Sequence, residues 1–321
     1  MSGRLLLTLM LALATPACSQ VPNAPPANKP EAKAPAATAM SPAARGGEAG
    51  AASGINAARA MQYVREVVNL GPRPVGSSGH RKLELYLLSH LKGERVEKDE
   101  FTATTPAGKF PMRNYIARYP GSSDGVIVIA THYDTLYGQK NFVGANDGAS
   151  GTGLLLELAN QLRGGKHAGP AVWLVWLDGE EAFQQWSATD SVYGSRHLAE
   201  KWQKDGTAKK LKAFLLLDMI GDADLNIERD SNSTPALLQV VEQAATRLGY
   251  QSHFFGREIA VADDHQPFAA AGVPVADLID FEYGYGNAFW HTPEDTLDKL
   301  SPRSLEIVGN VVLETVRMLD R

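Results

Sequence analysis

The chain has 321 residues, 44% hydrophobic and 8% aromatic, enough to bury a full core in one large domain with appendages. A formal net charge of -5 is small for this length, and no run of five or more Lys and Arg occurs, so nucleic acid is excluded as a partner. Cys18 is the single cysteine, which excludes internal disulfides and thiolate ligands in the folded part and leaves His, Asp and Glu for any metal.

Arg4, the apolar run Leu5 to Ala14 and small residues before Cys18 form an export signal over residues 1–18. The run is too short to span a bilayer. Ala17-Cys18-Ser19 resembles the bacterial lipoprotein processing site, with Thr15 where Leu or Val often stands. That resemblance implies lipidation of Cys18, which would be the only membrane contact and would leave the protein periplasmic or anchored at the outer membrane; plain signal cleavage is the alternative. Residues 19–53 are mostly Ala and Pro without apolar periodicity, a tether with nothing to bury.

Folded sequence begins near Gly54. Ala57, Met61, Val64 and Val67 recur at helical spacing until Gly71-Pro72, and a second helix is expected from Gly79 to Lys92. Val96 to Thr102 and Arg113 to Tyr119 read as paired strands, and Val126 to Ala130 as a strand covered on both faces. The pattern then alternates. Helices are expected at Leu154 to Leu162, Val192 to Lys201, Pro235 to Leu248 and Leu305 to Leu319, and strands at Ala171 to Leu177, Ala213 to Leu217 and Val273 to Ile279. This predicts an α/β three-layer sandwich over residues 54–321, with a mostly parallel sheet and helices on both faces.

In such sheets ligands bind beyond the carboxyl ends of the strands. There the chain places His132-Tyr133-Asp134, Asp178-Gly179-Glu180-Glu181, Asp218 and the loop bearing Trp290-His291. Three carboxylate or imidazole ligands with one open position describe a catalytic zinc site, and Asp147, Glu181 and His291 supply such a set. Because neighbouring side chains diverge, Glu181 can hold metal while Glu180 faces the reacting group.

The segment from Asp178 to His197, DGEEAFQQWSATDSVYGSRH, resembles the zinc-dependent glutaminyl-peptide cyclotransferases of the animal type, which share a fold with the co-catalytic zinc aminopeptidases. His132-Tyr-Asp134, Phe142 to Asp147, Leu217 to Gly221, Asp263 to Phe268 and Trp290-His-Thr292 match in order. The resemblance implies one zinc on Asp147, Glu181 and His291, with Glu180 moving the proton. It also implies a hydrogen bond shared by Asp218 and Asp263 beside Glu180, and Trp186, Trp290 and Phe289 at the substrate pocket. The implied reaction converts an N-terminal glutamine of a peptide or protein to pyroglutamate with loss of ammonia, in a monomer.

His132 and Asp218 could hold a second zinc, as their counterparts do in the aminopeptidases, so a di-zinc aminopeptidase is the alternative and a non-catalytic binding module a more distant one. Asp277 stands where the animal enzymes usually carry a histidine, which removes an imidazole near the pocket, and the loop Asp280 to Phe289 is longer than theirs.

Overall fold

The computed structural model describes residues 54–164 and 168–320; the export signal, the tether and Cys18 lie outside them. Helix α1 (Ala57–Val68) starts where the Asn56 side chain accepts the Arg59 N–H, and it buries Ala60, Met61, Val64 and Val67 on one face. Ser77 caps α2 (Ser78–His90) in the same way. The antiparallel hairpin β1 (Val96–Thr105) and β2 (Gly108–Tyr119) follows. After it come β3 (Val126–His132), α3 (Ala149–Leu162), β4 (Ala171–Leu177), α4 (Tyr193–Lys204) and β5 (Leu211–Asp218). The chain closes with β6 (Ile227–Asp230), α5 (Pro235–Leu248), β7 (Phe254–Ile259), α6 (His265–Ala270), β8 (Val275–Ile279) and α7 (Pro302–Leu319).

The main sheet has six strands in the order β1-β2-β4-β3-β5-β8. Strands β4, β3, β5 and β8 run parallel, and the hairpin joins antiparallel through β2 against β4. Alternate residues of β3 explain why it must be central. Ile127 and Ile129 enter the core shared with α1, α3, α5 and α7, while Val128 and Ala130 enter the core shared with α4 and α6. All are buried, and each aliphatic side chain of this kind contributes about 2 kcal/mol. This is the expected sandwich, with mixed strand directions only at the hairpin edge. The small parallel pair β6 and β7 was not expected, because Ile227-Glu-Arg-Asp230 and Phe254-Phe-Gly-Arg-Glu-Ile259 carry no period-two pattern.

Asp99 on β1 ties α4 to the sheet edge. Its carboxylate accepts from Lys201 Nζ at 2.9 Å and Asn114 Nδ2 at 3.0 Å, and His197 Nε2 lies 3.4 Å away. Burial alone would raise this carboxyl, but the bonds from His197, Lys201 and Asn114 outweigh it and hold it at about 2. A depressed carboxyl stabilises the fold above its unfolded pKa and loses that contribution as pH falls through the folded value. Asp99→Asn is therefore expected to cost about 2 kcal/mol near pH 7 in urea unfolding, with the gap to wild type narrowing as pH falls below about 4. A gap independent of pH would contradict the assignment.

Candidate metal centre and active site

Four parallel strands end at one edge of the sheet, and each delivers a functional group there. At the end of β4, Gly179 takes φ +68°, and a Cβ at this position would lie 2.7 Å from Met112 Sδ. The chain can therefore turn after Asp178 and present Glu180 and Glu181 only with glycine here. Asp134, from β3, accepts the N–H of Glu180 at 3.1 Å through one oxygen and the N–H of Glu181 at 3.3 Å through the other. That fork fixes the glutamate pair.

Asp147 immediately precedes α3 and is held by its backbone. Asp295 accepts the N–H groups of Asn146 and Asp147 at 2.8 and 3.1 Å, and the Tyr283 hydroxyl donates to Asp295 at 2.9 Å. His291 adopts φ 55°, a strained conformation for a non-glycine residue. Its Nε2 lies 3.4 Å from Asp147 Oδ2 and 3.2 Å from Glu181 Oε2.

Ligand atoms of Asp147, Glu181 and His291 all lie within 4.8 Å of one another. Asp147 Oδ2 and both Glu181 oxygens are buried without a hydrogen-bond partner. Buried carboxylate oxygens left this way require a cation, and the O, O, N donor set suits a borderline ion such as zinc. Electrostatics give the same picture. Burial pushes Glu181 up to about 7, with the charge of Asp147 adding to it. Burial alone would lower His291, but the nearby carboxylates of Asp147 and Glu181 raise it to about 10, which shows how strongly this group favours a positive charge.

A second group shares Asp147. His132 Nε2 lies 3.1 Å from Asp147 Oδ1 and 3.2 Å from Asp218 Oδ1. Here the histidine and Asp218 are hydrogen-bonded to each other, so no Asp218 oxygen is orphaned. Of the two groups, the first carries the unpartnered carboxylate oxygens, and the second leaves His132 Nδ1 without a partner.

Glu180 is buried, and burial raises its carboxyl well above the usual range. The imidazole of His132 opposes this shift, while Glu181 and Asp263 add to it. Asp263 is raised too, first by burial and then by the charge of Asp218. Asp263 Oδ1 accepts the Asp264 N–H, and Asp218 Oδ1 lies 3.2 Å from His132 Nε2. Asp277 is fully buried rather than pocket-lining, and its partner is an imidazole from α6, His265, whose Nδ1 lies 3.5 Å from Asp277 and whose Nε2 lies 3.2 Å from Asp230.

A cavity of about 440 Å³ opens over these groups, with Asp147, Glu180, Asp218, Asp263 and His291 in its wall and Trp186, Trp290 and Phe281 as its aromatic sides. Trp290 stacks on His291 with centroids 4.0 Å apart and meets Phe281 edge-on at 5.0 Å. Trp186 is 39% exposed, at the rim. Phe289 does not line this cavity. It packs against Tyr283 under Lys299 and borders a separate acidic groove with Asp222 and Asp224, because the chain passes through the turn at Tyr285 before reaching it. Phe281, which directly follows β8 and Asp280, occupies the place expected of it.

Sequence reasoning overlooked Asp190, Asp295 and Tyr283. Asp190 accepts the N–H groups of Phe183, Gln184 and Gln185 at 2.9, 2.9 and 3.0 Å and the Tyr193 hydroxyl at 2.8 Å, which orders the loop after Glu181. An Asp in a loop of polar residues carries no periodic signal of that role.

The profile of peptidase family M28 matches residues 114–316. A glutaminyl-peptide cyclotransferase of Drosophila melanogaster is 31% identical over 264 residues, covering 73% of each chain. Among solved structures, an Acidobacteriales bacterium glutaminyl cyclase superposes with a TM-score of 0.83 at 52% identity, over 87% of this chain and 99% of that one. A Zn-dependent exopeptidase from Parabacteroides distasonis gives 0.73 at 25% identity, over 83% and 99%.

Zinc added to chelator-treated protein is expected to raise Tm, by the equivalent of about 2.7 kcal/mol at a hundredfold excess over Kd. Glu181→Gln should remove that shift and Asp218→Asn should retain it; the reverse outcome would place the ion at the His132 group. Asp190→Asn, which weakens a charged acceptor shared by several amides, should cost about 1.5–3 kcal/mol and speed amide exchange at 183–185.

Proposed function

The chain belongs to peptidase family M28 and, within it, to the glutaminyl-peptide cyclotransferases, and from that membership we propose a zinc-dependent closure of N-terminal glutamine to pyroglutamate at the Glu180 cavity. The observation that carries the reading is a buried carboxylate, Glu180, beside the orphaned oxygens of Asp147 and Glu181 in a cavity walled by aromatic rings. Bound by Asp147, Glu181 and His291, zinc would supply Lewis acidity toward the γ-carboxamide.

The protein groups do the rest. The uncharged α-amine nitrogen of the substrate bonds to the γ-carbonyl carbon of the same residue, and Glu180 takes one proton from that nitrogen as the bond forms. The bond from the carbon to the amide nitrogen then breaks. Glu180 returns its proton to the departing nitrogen, which leaves as ammonia. A carboxyl held above its ordinary range suits a group that must both accept and give back a proton near neutral pH. Asp263, kept protonated by burial beside Asp218, offers a donor to the cavity, and Asp218 an acceptor. Both reacting groups belong to one residue, so little entropy is lost on closure once Trp186, Trp290 and Phe281 confine it.

The His132–Asp147–Asp218 group supports a second reading, a di-zinc aminopeptidase in which Glu180 activates water. A Gln-initiated peptide separates the two: cyclisation removes ammonia, whereas the peptidase liberates free glutamine. Glu180→Gln is expected to lower kcat by about 10²–10⁴ while bound zinc stays at the wild-type level, measured as ammonia release and metal content. Activity within a few-fold of wild type would refute the assignment. The export signal and Cys18 support a periplasmic or outer-membrane lipoprotein, and Cys18→Ser should then move the protein from the membrane to the soluble fraction.

A further inference from the structure

A second cavity, of about 480 Å³, adjoins the first, and Trp186, Ala262 and Asp263 belong to the walls of both. None of the groups assigned above to zinc or proton transfer opens on it except Asp263. Its floor combines apolar side chains, Val192, Pro267 and Ala270, with the polar Gln266 and one cation, Arg196.

Arg196 is fixed. Its Nε and Nη2 donate to the Ser191 carbonyl at 3.1 and 2.9 Å, and its guanidinium carbon lies 4.8 Å from the centre of the Tyr193 ring. Nη2 also reaches the Thr189 carbonyl at 3.4 Å, and among the described residues no hydrogen bond engages Nη1. A guanidinium held on one side with a free nitrogen on the other is pre-organised for a carboxylate, since its rotamer entropy is already lost. Asp263, the other titratable group in the wall, forms no ion pair with Arg196 among the described residues.

A glutamine whose amine and carboxamide both face Glu180 must send its carbonyl, and the rest of the peptide, away from the metal end. Resting on the cyclase reading, we propose that the peptide passes Trp186 into this second cavity, and that Arg196 selects substrates with Asp or Glu among the two residues after the glutamine. Successive residues advance by about 3.5 Å, which brings these two side chains within reach of the cavity beyond Trp186.

The test is a panel of peptides beginning Gln-Glu, Gln-Ala and Gln-Lys, with the same substitutions at the third position, assayed as kcat/KM for ammonia release. Wild type should favour acidic over lysine peptides by about fivefold at one of these positions, carried mainly by KM and reduced by high salt. In Arg196→Gln the ratio should fall to about one, a readout that a general loss of activity does not move. Should that variant fold poorly, Gln266→Glu places a negative charge in the same wall and should invert the preference. Equal rates in wild type, or a preference unchanged in both variants, would overturn the subsite and leave the cyclase reading standing. Release of ammonia from none of the peptides would overturn the cyclase reading, and the subsite with it.

Discussion

The crowding of carboxylates at one sheet edge is the constraint on which the site depends. Asp134, Asp147, Glu180, Glu181, Asp218, Asp263 and Asp295 are all buried there. Two like charges 4 Å apart cost about 4 kcal/mol even at an effective dielectric of 20, so this edge is stable only if the charge is answered. Two kinds of answer are present. Backbone N–H groups converge on Asp134, Asp190 and Asp295. Arg73, fully buried, supplies a fixed positive charge; burial lowers its guanidinium to about 10 while Asp295, Asp147 and Asp134 oppose the shift. The group Asp147, Glu181 and His291 combines unpartnered carboxylate oxygens with ligand atoms that converge beside the cavity, which marks a place for a cation.

The same accounting separates structural from reactive acids. Asp134 and Asp295 have their oxygens committed to amides or hydroxyls, which makes them supports for the residues that follow. Glu180 stays poised because nothing among the described residues donates a hydrogen bond to its carboxylate while its burial disfavours charge. Arg73 connects the two sets: it donates to the carbonyls of Val143 and Gly144 at 2.7 and 3.1 Å, so it braces the turn that leads into Asp147. Strain lies in the same place. His291 at φ 55° and Met219, after Asp218, at φ 49° hold conformations that only a rigid surrounding can impose.

Membership of family M28 by itself narrows the chemistry without selecting the reaction, since a Zn-dependent exopeptidase shares this fold, and the cyclotransferase relatives select within it. The pocket agrees with them. A cavity with tryptophan walls suits a single side chain folded back on its own amine, and the adjoining chamber beyond Trp186 suits the peptide that continues from it.

Much of this was legible in the chain itself. Uninterrupted apolar runs fixed the central strands, because a strand covered on both faces has no polar positions to spare, and the polar clusters directly after those runs located the functional edge. Glu180, Glu181 and His291 follow from that placement, whereas Asp147 and the division of roles among the four come from the resemblance to the cyclotransferases. Hidden from the sequence was whatever depends on which side chains meet across distant segments. The replacement of Phe289 by Phe281 arises from the path of a loop, and the pairing of Asp277 with His265 from a helix packed against β8. Asp190, Asp295 and Arg73 act through backbone groups, for which the code of side chains carries no mark. Periodicity records burial and chemical type, and these the sequence determined; the direction of a hydrogen bond and the shape of a cavity are properties of contact, and only the tertiary structure decided them.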